Sequence, residues 1–314
     1  MSTSAAPVVT IIDIGSNSIK VLVATKDAAG RVTALKTRTI DARISRGISQ
    51  TPPRLGEEGM AAGLDAIREL LATAAPFAPA RTVLVATSAV RDAVNGTEFR
   101  ERVLAATGQA IRVLNGDEEA NLIGLGLTCD PALGHLRDFL VFDLGGGSLE
   151  CLRFENRAIV QAMSLQLGCV RLTERFIADP AAPLDQTESI NLARHVRDTL
   201  KAAGFRCPLG GGFDAVFTGG SMTSVRAIKG ALHGVRMEDT PAVVATETLE
   251  HLLDELAPLT LEERRAMPGM PAARADVFPA ALVTMLAVAD HAGIGRFHHS
   301  LHNLRWGLAA EALG

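Results

Sequence analysis

Ile11-Ile12-Asp13-Ile14-Gly15-Ser16-Asn17-Ser18-Ile19-Lys20, near the start of the chain, has an echo in the middle: Val141-Phe142-Asp143-Leu144-Gly145-Gly146-Gly147-Ser148-Leu149-Glu150. Asp aligns with Asp, Gly with Gly and Ser with Ser. β-rich apolar runs flank both copies, 8–12 and 19–23 around the first and 139–142 and 149–154 around the second. Each copy therefore reads as strand, glycine turn, strand, and a duplicated domain follows. The pattern differs from the P-loop and from the dinucleotide fingerprint, which run from strand into helix, and the sequence contains no GxxxxGK[ST].

Outward from the first copy, strands and helices alternate. Residues 57–74 carry apolar side chains at helical spacing (Met60, Leu64, Ile67, Leu70, Leu71), 82–87 form a short buried strand, 97–107 a helix and 111–114 a strand. The second half repeats the logic with helices at 187–202 and 247–256, a strand at 214–218 and closing helices at 280–292 and 303–313. Prolines between 258 and 279 mark loops and helix starts. Strands separated by helices imply an α/β fold with helices covering the sheet.

The chain has 314 residues, 47% hydrophobic and 21% charged, which excludes a collagen, a disordered tail and a disulfide scaffold. This length exceeds the roughly 250 to 300 residues at which single cores stop growing, so two domains with a ligand-binding cleft between them are expected. A net charge of -4 argues against a protein that coats nucleic acid. An anionic ligand must then be held locally, and 26 of the 31 basic residues are Arg, whose planar fork matches phosphate oxygens. Cys129, Cys151, Cys169 and Cys207 form no CxxC pair and read as reduced, buried thiols. Residues 1–7 lack a signal-peptide pattern, and the longest apolar run, 280–289, falls short of the ~20 residues of a membrane span, so a cytoplasmic protein without a membrane partner is expected. For oligomeric state the only guide is the general prevalence of homodimers.

Backbone amides in a tight Gly/Ser turn make an anion-binding nest, and glycine lets a ligand approach where a side chain would block it. Two such turns can clasp one phosphate chain. Asp13, Asp143 and Glu150 lie beside them; Mg²⁺ is typically held by one or two carboxylates together with water and substrate phosphates, whereas a strand-ending Asp also caps turn amides. Between the two copies, Asn115-Gly116-Asp117-Glu118-Glu119-Ala120 opens an apolar helix, where acidic residues act as favourable partners of the helix dipole.

Five segments in register sharpen this reading: Asp13–Ser18, Ala86-Thr87-Ser88-Ala89-Val90-Arg91-Asp92-Ala93, Asn115–Ala120, Asp143–Glu150 and Leu165-Gln166-Leu167-Gly168-Cys169-Val170-Arg171-Leu172-Thr173-Glu174. In this order they resemble the exopolyphosphatase and guanosine pentaphosphate phosphatase (Ppx/GppA) family, in a short two-domain form. The resemblance implies duplicated actin-like, sugar kinase-like α/β domains with an interdomain active-site cleft. Domain I is expected at 1–119, completed by the C-terminal helix at about 299–314, and domain II at 120–298.

By motif position the resemblance makes Glu118 the catalytic base that deprotonates a water. It places Mg²⁺, with Mn²⁺ as a substitute, on Asp143 and Glu150, and phosphate on Asp13, Gly15, Ser16, Asn17, Ser18, Gly145, Gly146, Gly147 and Ser148. Arg91, with Arg43 and Arg46, would add positive charge where negative charge develops. A third glycine motif, Gly219-Gly220-Ser221, carries Ser where the family usually shows Thr. The implied substrate is inorganic polyphosphate, with guanosine pentaphosphate as the alternative. A kinase of the same fold would instead carry an acceptor-activating carboxylate and an adenosine pocket, and a non-catalytic sensor would lack the base. In His298-His299-Ser300-Leu301-His302 the i, i+4 pair has metal-binding spacing but no neighbouring carboxylate, so a solvated or packed helix face is expected.

Overall fold

The structure, a computed structural model, describes residues 6–207 and 214–314; residues 1–5, within the N-terminal stretch read above, lie outside them. In chain order the elements are β1 (Val9–Ile14), β2 (Ile19–Lys26), β3 (Val32–Ile40), α1 (Glu57–Ala74), β4 (Arg81–Ala86), α2 (Ser88–Asp92), α3 (Gly96–Thr107), β5 (Ile111–Val113) and α4 (Gly116–Thr128). They continue as β6 (Phe139–Leu144), β7 (Leu149–Glu155), β8 (Ala158–Leu165), α5 (Cys169–Phe176), α6 (Gln186–Ala202), β9 (Asp214–Thr218) and α7 (Gly220–Leu232). The chain closes with β10 (Val243–Ala245), α8 (Thr246–Leu256), α9 (Leu261–Ala266), α10 (Phe278–Ala292), β11 (Arg296–His299) and α11 (Leu304–Leu313). Two compact units result: Met1–Gly134 with His302–Gly314, and His135–Leu301. Among the described residues no helix is long and apolar enough to cross a membrane.

In the first unit the sheet order is β3-β2-β1-β4-β5. β1, β2 and β3 form an antiparallel meander, and β4 and β5 add in parallel. All six residues of β1 are buried, as expected of a strand covered on both faces. Ile12, Ile14, Val21 and Val23 pack with Ile67 and Leu70 of α1 and Phe99 and Val103 of α3. α11 packs on β1 and β2 and against α4.

The helix pair α4 and α11 explains where this unit ends. A β-carbon on Gly126 would stand 2.0 Å from the Asn303 carbonyl oxygen, and one on Gly307 would stand 1.9 Å from that of Leu122. Backbone touches backbone at this crossing, so α4 stays with the first unit and the division falls after Gly134, whereas the sequence reading placed it after 119. No local pattern announces such a long-range contact.

The second unit repeats the plan: β6, β7 and β8 are antiparallel, β9 and β11 add in parallel, and β10 extends the edge, giving the order β10-β11-β9-β6-β7-β8. Phe142, Phe217 and Phe297 meet in its core, with ring centroids 5.1 to 6.4 Å apart. α10 is buried along almost its whole length from Phe278 to Ala289, the signature of a central helix.

One expected element is different in kind. His298 and His299 end β11 rather than lying on a helix. Strand period is two, so these neighbours point to opposite faces: His298 Nε2 reaches Asp214 Oδ1 at 3.3 Å, and His299 turns to α7. His302 belongs to the first unit, beside Asp130 at 3.4 Å and with its ring tilted against Trp306, centroids 3.8 Å apart. The i, i+4 spacing therefore has no helix to act on.

The glycine crossing is directly testable. Gly307→Ala should destabilise the protein by about 1–3 kcal/mol, the usual cost of overpacking. Thermal denaturation reads the loss; an unchanged melting temperature would show that α4 and α11 do not approach this closely.

Candidate active site

The first turn joins β1 to β2 across four residues, closed by Gly15 N donating to Ser18 O at 3.2 Å. Its carbonyls are drawn to one side: Ser16 O accepts from Ser45 N at 3.2 Å, and Asn17 O accepts from Arg43 N at 2.8 Å. The amides of Ser16 and Asn17 donate to no group among the described residues. Arg43 also donates through Nε to Asn17 Oδ1 at 3.1 Å and holds φ at +42°, a conformation few non-glycine residues adopt. Arg46 lies on the same segment, exposed. Asn17 Nδ2 and Ser45 Oγ are buried with no hydrogen-bond partner among the described residues. An orphaned buried polar group costs about 1–3 kcal/mol, so these two groups point to a ligand.

The turn connects to the Arg91 segment. Ser16 Oγ lies 3.1 Å from Ser88 Oγ at the start of α2, and Thr87 N donates to Ile14 O at 3.4 Å. One helical turn beyond Ser88, Arg91 Nη1 donates to Leu114 O at 3.0 Å and to Glu119 Oε2 at 2.8 Å. Glu119 is only 5% exposed.

Glu118, the base implied by the resemblance, is occupied otherwise. Its Oε2 accepts from Asn115 N at 2.9 Å while Asn115 Oδ1 accepts from Glu118 N at 2.9 Å, a complete capping box. Its Oε1 accepts from Arg112 Nη2 at 3.2 Å. The Asn115 amide and, next, the Arg112 guanidinium hold its carboxyl below the usual range, which makes it a weaker base. Adjacent helical residues face different directions, so Glu119 points inward to Arg91 while Glu118 caps. The signal was present in the sequence: Asn-x-x-Glu is a capping pattern, and it assigns the first glutamate to the helix.

The second turn has the same closure, Gly145 N to Ser148 O at 3.0 Å. Here α5 takes the carbonyls. Gly145 O accepts from Cys169 N at 3.0 Å, Gly146 O from Val170 N and Arg171 N at 2.9 and 3.2 Å, and Gly147 O from Arg171 Nε at 3.1 Å. A β-carbon on Gly168 would stand 2.3 Å from the Gly147 backbone, so glycine is what lets α5 approach. The amides of Gly146 and Gly147 donate to no group among the described residues. None of Gly145, Gly146 and Gly147 has a positive φ. Their value is room for a ligand.

Asp143 and Glu150 stand directly opposite each other on β6 and β7, 7% and 2% exposed. Like charges paired across strands repel. Glu150 Oε1 accepts from Ser164 Oγ at 2.7 Å. The third motif follows β9: Gly219 has φ +94°, and a β-carbon there would meet Asp143 Oδ1 at 2.5 Å. A β-carbon on Gly220 would meet the Arg274 guanidinium at 2.3 Å, so this arginine covers the start of α7, beside the buried Ser221. Sequence reasoning passed over Arg274, which sits 54 residues beyond Gly220 and in a stretch read as loops and helix starts.

Among the described residues no three His, Cys, Asp or Glu side chains cluster as a metal cage. The buried Asp143 and Glu150 pair instead suits a hard cation that takes its other ligands from water and phosphate.

Residues 22–314 match the Ppx/GppA phosphatase family. Exopolyphosphatase 2 of Mycobacterium tuberculosis is 30% identical over 98% of this chain and 98% of its own. An exopolyphosphatase from Cytophaga hutchinsonii superposes with a TM-score of 0.86 at 22% identity, over 98% of this chain and 97% of that one. The Ppx/GppA enzyme of Aquifex aeolicus superposes with a TM-score of 0.78 at 24% identity, over 97% and 99%. The duplicated α/β fold expected from the two glycine turns is the fold of these structures. The match along nearly the whole chain closes the argument: this protein belongs to the Ppx/GppA phosphatase family.

Proposed function

We propose that the enzyme is an exopolyphosphatase that releases terminal orthophosphate from inorganic polyphosphate, with Glu119 as the base. The observation that carries this reading is the pairing of half-buried Arg91 with buried Glu119, tied through α2 to a turn whose amides and buried Asn17 Nδ2 have no acceptor among the described residues. The 30% identical relative, named an exopolyphosphatase, favours polyphosphate over guanosine pentaphosphate.

The turn amides and Asn17 Nδ2 donate to phosphate oxygens, with Arg43 alongside. Arg91 holds the Glu119 carboxylate through Oε2 and brings positive charge to the region where charge develops. Glu119 accepts a proton from water as the water oxygen bonds to the terminal phosphorus. The anhydride P–O bond breaks, and the bridging oxygen leaves on the shortened chain. Asp143 and Glu150 would hold Mg²⁺, or Mn²⁺ in its place, which when bound neutralises phosphate charge.

Glu119→Gln should lower kcat at least ~100-fold, the scale of a lost general base, with polyphosphate binding nearly intact. Glu118→Gln should keep both turnover and melting temperature near the parent values, because Gln also serves at N3 of a capping box. Phosphate release and thermal melting read both; the opposite pattern would return the role of base to Glu118.

Asp143→Ala and Glu150→Ala should each raise the Mg²⁺ concentration for half-maximal activity by about tenfold or more. An unchanged Mg²⁺ titration in both would return these carboxylates to structural roles. Offered polyphosphate and guanosine pentaphosphate side by side, the protein should show the higher kcat/KM for polyphosphate; a reversed preference would overturn the substrate assignment.

A further inference from the structure

The phosphatase reading leaves His299 without a task, although it is 5% exposed and ends the strand beside the third glycine motif. Its surroundings specify a direction. Arg226 of α7 is 6% exposed and donates to neutral acceptors: Nε to Thr240 Oγ1 at 3.0 Å, and Nη2 to Met237 O and Thr240 O at 3.0 and 2.7 Å. Its Nη1 reaches His299 Nδ1 at 3.0 Å. A guanidinium only donates, so Nδ1 is the acceptor and the ring proton resides on Nε2. Nε2 faces Thr223 Oγ1 at 3.4 Å, and that hydroxyl donates its one hydrogen to Gly219 O at 3.0 Å. Every donor then points the same way, from Arg226 through His299 and Thr223 to Gly219. Aligned bonds of this kind polarise one another.

The chain ends on the strained residue of the site. Gly219 lies with φ +94° and ψ 174° against the Asp143 carboxylate. The preceding residue is fastened to the same strand end, with Thr218 Oγ1 donating to Ser300 O at 2.9 Å. Thr218 is also the register partner of Asp143. The end of β11 thus grips the Thr218–Gly219 corner at two points.

We propose that His299 is a positioning residue for the phosphatase reaction: through Thr223 it fixes the Gly219 backbone against Asp143 and so sets the affinity of the cation that this carboxylate holds. This rests on the reading of Asp143 as a metal ligand. Thr223→Val replaces the hydroxyl by a methyl group while leaving Arg226 and His299 in place; Thr223→Ser keeps the hydroxyl.

The test measures Mn²⁺ binding by electron paramagnetic resonance on the purified protein, the Mg²⁺ dependence of polyphosphate hydrolysis, and thermal melting. The set comprises the parent, Thr223→Val, Thr223→Ser, His299→Ala, the Thr223→Val/His299→Ala double variant and Asp143→Ala. Thr223→Val and His299→Ala should each weaken Mn²⁺ binding and raise the Mg²⁺ requirement about tenfold, the scale of lost outer-shell partners. KM for polyphosphate at saturating metal should hold. Thr223→Ser should restore the parent titration, and the double variant should bind no worse than either single one, because both act through one chain.

Parent-like Mn²⁺ binding in Thr223→Val, with binding lost in Asp143→Ala, would overturn the role of His299 and leave the metal reading standing. Independent, additive losses in the double variant would also overturn it. Unchanged binding in Asp143→Ala would remove the metal reading and this proposal with it. Should His299→Ala fail to fold, Thr223→Val against Thr223→Ser decides the question.

Discussion

Every peptide group in a tight turn has both a donor and an acceptor to place, and here the acceptors are placed first. In each unit the four-residue turn is closed by one bond, Gly15 N to Ser18 O or Gly145 N to Ser148 O. Neighbouring backbone then claims the turn's carbonyls. What is left over is a set of amides with no acceptor among the described residues. Since buried backbone donors are almost always satisfied, an anion is the natural complement. The two units reach this state by different means. Segment 43–45 supplies the donors in the first, at the cost of a left-handed Arg43, and the first turn of α5 supplies them in the second, which requires glycine at 168.

The duplication was legible because it is written in local patterns: alternation within strands, helical spacing in 57–74 and two matched glycine turns. The glycine turns also identified the ligand class, since the same residues that close a hairpin leave amides exposed. One feature differs from the expectation for an identifiable reason. The histidine run was given helical spacing where the neighbouring strands impose a period of two, and four residues cannot distinguish the two periods. The capping role of Glu118 at the start of α4 was legible as well, since Asn-x-x-Glu is a capping pattern. The unit boundary and the approach of Arg274 to Gly220 were beyond reach, because both arise from contacts between segments far apart in sequence.

The copies diverge most informatively where their strands pair next to the turn. Asp13 faces Lys20 across β1 and β2, and Asp143 faces Glu150 across β6 and β7, at the same register position. In the first unit the cross-strand partner is a cation of the protein's own. In the second it is another carboxylate, and both groups are almost wholly buried. Two buried carboxylates opposite each other destabilise a sheet unless something positive is shared between them.

That asymmetry distinguishes the surroundings of the two aspartates. Ser164 gives Glu150 a neutral hydroxyl donor, which orients the carboxylate without neutralising it. Gly219 gives Asp143 a neighbour with no β-carbon, where one would stand 2.5 Å from its Oδ1. A fold seeking stability alone would have kept the Asp and Lys arrangement of the first unit. Retaining two acidic side chains instead is intelligible if a divalent cation completes the pair, arriving with its own waters and leaving open positions for phosphate oxygens. The first unit, with an Asp and Lys at that position, holds a different pair, half-buried Arg91 and buried Glu119, in which one carboxylate oxygen is steadied by a guanidinium. What separates the two copies at this register position is the sign of one residue: the partner of Asp13 is Lys20, and that of Asp143 is Glu150.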